Sequence, residues 1–109
     1  MKNAKTYQVV LVTAPDLRSA RQLATAVLAV RAAACVNLVP KLESHYWWQG
    51  KLATTQETLM LIKTTRAKLP ALEKIILTNH PYDTPEIVSL PMDQATERYL
   101  KWIAGEVKG

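Results

Sequence analysis

Two strand-like arms, Ala34 to Trp48 and Lys51 to Thr65, meet at a Gln49-Gly50 turn, directly after the aromatic run Tyr46-Trp47-Trp48. Each arm has about 14 residues, which at about 3.3 Å per residue reaches roughly 45 Å. A compact domain of 109 residues has a radius of gyration of about 13 Å and is roughly 35 Å across. A hairpin of this length outruns its own domain and carries its bulky aromatics to the far tip, where another chain has to cover them. An oligomer is therefore expected, with Tyr46, Trp47 and Trp48 at its interface.

The length leaves room for one domain with one core, spanning 1–109. No apolar run approaches the ~18 residues that cross a bilayer, so no membrane is expected as a partner. Met1-Lys2-Asn3-Ala4-Lys5 leads straight into a strand without a signal-peptide core, and the one cysteine, Cys35, has no intrachain partner. Both point to the cytoplasm. The net charge of +5 raises the question of nucleic acid. The basic residues are spread from Lys2 to Lys108, however, and the densest group, Lys63, Arg66 and Lys68, is not interleaved with aromatics. Nucleic acid is not expected as a partner.

Tyr7 to Thr13 and Leu59 to Ile62 hold apolar runs without alternation, as in strands covered on both sides. Asp16 is placed to cap a helix running to about Arg31, with Leu17, Ala20, Ala24, Val27 and Leu28 as its apolar stripe. Pro40 should interrupt the ladder of the first hairpin arm. A second helix spans about Lys68 to Asn79, with Pro70 in its first turn and Pro81 ending it. Glu86 to Leu90 forms a short strand. Asp93 should cap a last helix whose buried stripe is Ala95, Tyr99, Trp102 and Ile103. The order β-α-β-β-α-β-α describes an α+β, ferredoxin-like sandwich with an extra C-terminal helix, its first and third strands central.

Five phrases now stand out: Thr13-Ala14-Pro15, Ala33-Ala34-Cys35-Val36-Asn37, Tyr46 to Lys51, His80-Pro81-Tyr82-Asp83-Thr84-Pro85-Glu86, and Tyr99-Leu100-Lys101-Trp102. Together they resemble the CutA family, also called divalent-cation tolerance proteins, from about Val9 to Ile103. The resemblance implies a ferredoxin-like homotrimer in the cytoplasm, tied to tolerance of copper and other divalent metals, with no established catalytic reaction. It also implies kinship in architecture with P-II signalling proteins. That keeps open an alternative, a trimeric sensor with a small-molecule site between subunits.

Cu(II) or another divalent cation is the candidate cofactor, and His80, beside the proline-fixed loop, is the candidate metal ligand. The resemblance would place a cysteine at Val12 and a histidine at Asn79 among copper ligands, and this chain departs at both. The other reading of His80 is a hydrogen bond to a backbone carbonyl or a carboxylate. His45 is expected in an interfacial hydrogen bond, and Cys35 as a small buried hydrophobe. Trp48, Glu57, Lys63, Tyr82 and Glu86 form a second constellation. They either line a ligand pocket between subunits or make interfacial ion pairs, Lys63 with Glu57 or Glu86. No Gly-rich phosphate loop and no Cys-x-x-Cys is present, and no enzyme is expected.

Overall fold

The computed structural model describes residues Met1–Lys108. Its elements are β1 (Lys2–Asn3), β2 (Tyr7–Ala14), α1 (Leu17–Ala29), β3 (Cys35–Trp48), β4 (Lys51–Thr65), a short 3-10 turn (Arg66–Lys68), α2 (Leu69–Asn79), β5 (Ile87–Pro91), β6 (Gln94–Ala95) and α3 (Glu97–Glu106). The four long strands form an antiparallel sheet in the order β3-β4-β2-β5, so β2 and β4 are central. This is the expected ferredoxin-like arrangement with an added C-terminal helix.

Local chemistry sets the helix ends. Extended Asp16 caps α1 by accepting a 2.7 Å hydrogen bond from the Ser19 N–H, and this bond holds its carboxyl below the usual range. After α1 the chain turns at Arg31, in the left-handed region at φ 56°. The Arg31 guanidinium donates to the Glu106 carbonyl at 2.9 Å, tying this turn to α3. Pro70 sits in the first turn of α2, and His80 leaves the helical region before Pro81.

The helices α1 and α2 cover one face of the sheet. Val10, Val12, Met60 and Ile62 from β2 and β4 meet Ala20, Leu23 and Val27 of α1 and Leu72 and Ile76 of α2. Leu23 replaces Leu28 in the expected α1 stripe, because the last turn of α1 leaves Leu28 exposed. The other sheet face differs from the expectation of double cover. Val9, Leu11, Leu59 and Leu61 are only half-buried, and Val39, Val88 and Leu90 are 44–47% exposed. Register puts these residues opposite one another on one face, since Val9 pairs with Leu90, Leu11 with Val88 and Leu61, and Leu59 with Val39.

The C-terminal end needs a second correction. Asp93 does not cap α3; its carbonyl accepts from the Ala4 N–H at 3.0 Å, and Gln94–Ala95 pairs with Lys2–Asn3 in a two-stranded ribbon. The helix starts after Thr96 and buries Leu100 and Ile103, with Val107 just beyond it. The buried stripe is therefore Leu100, Ile103 and Val107, and Trp102 lies exposed against Tyr99, ring centroids 5.6 Å apart.

The hairpin is as long as its sequence implies. The molecule measures 44 × 27 × 21 Å, its radius of gyration of 14.5 Å exceeding the compact value of about 13 Å. Pro40 interrupts the ladder as expected. Val39 pairs with Leu59 but Leu42 with Glu57, so Pro40 and Lys41 face the single residue Thr58, with Lys41 at φ 63°. This bulge shifts alternation by one in β3 and sets which side chains face outward beyond it. At the tip, Gln49 and Gly50, at φ 50° and 77°, form a two-residue turn with both residues left-handed, the kind that matches strand twist.

Candidate functional site

Beyond the bulge, register puts Ser44, Tyr46 and Trp48 of β3 on the same face as Thr55 and Glu57 of β4. The loop from His80 to Glu86 returns across the end of β2 and closes one side of that face. Between loop and hairpin lies an open cleft of about 900 Å³. A chain of hydrogen bonds fixes its floor. The His80 Nε2–H donates to the Thr13 carbonyl at 2.8 Å, and its Nδ1 accepts from the Tyr82 N–H at 3.0 Å. These partners, one an acceptor and one a donor, set the neutral Nε2–H tautomer. Tyr82 in turn donates its hydroxyl to Glu57 Oε2 at 2.9 Å. Burial first, then the bond to Glu57 and its charge, push the Tyr82 pKa well above its usual value, so the phenol keeps its proton.

The cleft is acidic. Glu43, Glu57, Asp83 and Glu86 line it, and no lysine or arginine does. Glu57 is only 7% exposed. Its Oε2 has the Tyr82 hydroxyl, but no ion pair among the described residues reaches it: these join Arg31 to Glu106, His45 to Glu43 and Lys101 to Glu97. The Tyr82 hydroxyl satisfies one Glu57 oxygen, and the side chain faces the cleft, where a positive group could reach it.

Four residues of the expected constellation, Trp48, Glu57, Tyr82 and Glu86, do line one cleft. Lys63 does not. It lies six residues along β4 from Glu57, about 20 Å at 3.3 Å per residue, and its ammonium bonds Asn37 Oδ1 instead. Within a single chain Lys63 pairs with neither Glu57 nor Glu86, so an ion pair between them would have to cross subunits. His80 is held by backbone at both ring nitrogens and offers no free lone pair in this arrangement. Around it, Val12 is fully buried and Asn79 donates to the Ile75 carbonyl at 2.8 Å. Among the described residues no group of three His, Cys, Asp or Glu side chains is placed to hold a metal ion.

His45 bonds within its own hairpin, to Glu43 Oε2 at 2.8 Å and Thr54 Oγ1 at 3.1 Å. Cys35 is half-buried rather than buried, its Sγ 3.6 Å from Asn37 Oδ1, because it stands on the sheet face without helices. At the tip, Trp47 and its cross-strand partner Leu52 are 71% and 72% exposed. Trp48 faces the other way, into the cleft, together with Tyr46, whose hydroxyl is 3.4 Å from Thr55 Oγ1. The sequence reading missed Glu43 and Asp83 as cleft residues. Strand alternation alone puts Glu43 on the face opposite Ser44, and only its place at a sheet edge lets it reach the cleft.

The CutA1 divalent ion tolerance protein family matches residues 8–106. The chain belongs to this family. A divalent-cation tolerance protein CutA of Thermus thermophilus is 46% identical over 96 residues, covering 88% of this chain and 93% of that protein. The chloroplastic protein CutA 1 of Oryza sativa is 41% identical over 92% of this chain. This chain spans 56% of the rice protein's length and about half that of the mammalian relatives. The solved structure of a CutA from Archaeoglobus fulgidus, described as a periplasmic divalent cation tolerance protein, superimposes with a TM-score of 0.91 at 32% identity, covering 94% of this chain and 99% of that one. No helix among the described residues is long and apolar enough to cross a membrane.

Proposed function

We propose that this chain serves in tolerance of divalent metal ions as a cytoplasmic homotrimer that binds a cation in the cleft between hairpin and loop, and that it binds rather than catalyses. The observation that carries the reading is Glu57, a nine-tenths buried carboxylate in a cleft of about 900 Å³ lined by three further carboxylates, one of them paired with His45, and by no lysine or arginine. An anionic ligand, as a P-II-like sensor would take, meets four carboxylates there against the single imidazole of His45. Tyr82 holds its proton well past neutrality, which suits a positioning donor better than a proton carrier. Self-association is supported by the exposed tip and by the apolar sheet face without helices. A lone cysteine is in keeping with a reducing compartment.

Copper at His80 would have to displace the Tyr82 N–H from Nδ1. Calorimetry with Cu(II) at neutral pH should therefore show nothing tighter than roughly micromolar at His80, about −8 kcal/mol. The cleft is tested by tryptophan fluorescence during titration with divalent cations and with ATP, on the parent and on Glu57→Gln. Cation-dependent quenching lost in Glu57→Gln, with ATP inert, is the expected result. Binding of ATP but no cation would overturn the reading in favour of an anion sensor.

A further inference from the structure

The composition of the cleft bears on which cation fits it. A metal ion stripped of water wants several ligands converging on one point. Here the carboxylates are dispersed, and no group of three metal-binding side chains converges among the described residues. Glu57 supplies one fixed acceptor: Tyr82 holds one of its oxygens, and no donor among the described residues reaches the other, which is not sealed from solvent. Around it stand the rings of Tyr46, Trp48 and Tyr82. A single buried carboxylate with aromatic walls is the set that recognises an alkylammonium, through one charge-assisted hydrogen bond and the attraction of a cation to a ring face. The size agrees, since about 900 Å³ is room for an organic ligand rather than a bare ion.

A second pair of carboxylates, Asp83 and Glu86, stands on the loop side of the cleft. We infer that the cleft binds an aliphatic di- or polyamine, with one ammonium on Glu57, a second toward Asp83 and Glu86, and the methylene chain against Trp48. This rests on the proposal that the cleft is a cation site and names the class of cation. The overall charge sharpens the point. A chain of net charge +5 repels a polycation in general, so a polyamine that binds must find a local acidic site.

The test is calorimetry of the full chain with spermidine, putrescine, propylamine, MgCl2 and CuCl2 at pH 7 and fixed KCl. Spermidine and putrescine should bind more tightly than propylamine. Glu57→Gln, which keeps an acceptor for the Tyr82 hydroxyl and so should fold, should weaken spermidine at least tenfold. Asp83→Asn with Glu86→Gln should weaken spermidine severalfold and leave propylamine unchanged, and Trp48→Ala should weaken all three amines. Spermidine binding that ignores Glu57→Gln overturns the inference. A metal salt that binds in a Glu57-dependent way while the amines do not overturns it too, but leaves the cleft as a cation site. If neither amines nor metals bind, both the inference and the cleft reading fall.

Discussion

The two faces of the sheet are built from the same strands and nearly the same residues, yet they end in different environments. On the helix side, Val10, Val12, Met60 and Ile62 are fully buried. One residue over, Val9, Leu11, Leu59 and Leu61 are half-buried, and Val88 and Leu90 at the edge nearly half-exposed. The hydrophobic effect scales with the area removed from water, so the outer face holds back a contribution that the inner face has already made. An apolar face of this kind, with a polar stretch at Glu57 and Thr55 between it and the aromatic tip, is the surface on which the proposed assembly would form. The contrast teaches that an unalternating apolar run reports two apolar faces without saying which chain covers each.

The largest expected effect comes from charging the outer face. Leu61→Asp should prevent assembly, so light scattering behind size exclusion should fall from about three times the chain mass of 12.2 kDa to the single-chain value. An unchanged mass would show that this face is no interface. Its neighbour on the inner face should behave oppositely. Ile62→Ala leaves a cavity under α1 and α2 and should cost about 2–5 kcal/mol of unfolding free energy by urea titration, with the oligomer mass kept. If the two variants gave the same pair of results, the distinction between the faces would collapse.

Much of this was legible before the structure. Pro40 cannot donate to a ladder, so the bulge followed from one residue, and the length of the hairpin followed from the spacing of the arms around Gln49-Gly50. Trp48, Tyr82 and Glu86 lie in phrases that resemble a family, and Glu57 groups with them as a polar residue on the return arm of the hairpin. The errors share a cause: they depend on backbone partners or on the neighbours of long side chains. Asp93 looks like a helix cap, but its carbonyl serves a ribbon of two-residue strands too short to carry a pattern. Lys63 shows the same limit, since its own chain places it too far along the strand from Glu57 and gives it Asn37, and a pairing with Glu57 or Glu86 would need a second subunit. For His80 the hydrogen bond to a backbone carbonyl is one of the two readings and the one found, but nothing local shows that the Tyr82 N–H would take its other nitrogen as well.

The polar end of the outer face offers a smaller, more local test. Tyr82→Phe keeps the ring and removes the hydroxyl that satisfies Glu57, so stability near neutrality should fall by about 1–3 kcal/mol, the cost of stranding a buried acceptor. The pH dependence has a definite sign. Folding raises the Tyr82 pKa above the unfolded value of about 10. The contribution is therefore present in full below about pH 10 and is lost as pH rises through the folded value. Urea midpoints of parent and variant should differ by a constant amount from neutrality to about pH 10 and converge above it. A gap that widens in alkali would mean the phenol is not held by Glu57.

The smallest effect is expected at the hairpin turn, where it separates backbone strain from packing. Gly50 has φ 77°, and a Cβ built there meets nothing within 4 Å. Gly50→Ala therefore adds no clash and fills no gap; it only forces a side chain into the left-handed region, at about 1 kcal/mol. How that loss is felt depends on whether the tip is coupled to the rest. In a lone chain the tip extends past the helix-backed core, so the turn should loosen locally, with faster amide exchange at Trp48 and Lys51 and an unchanged global midpoint. In an assembly whose neighbours grip Trp47 and Leu52, loosening the tip also loosens the interface. The same substitution should then lower the melting temperature by a few degrees, more at low protein concentration than at high. Local loosening without a concentration-dependent melt would place the tip outside any interface and leave the apolar sheet face as the sole surface for assembly.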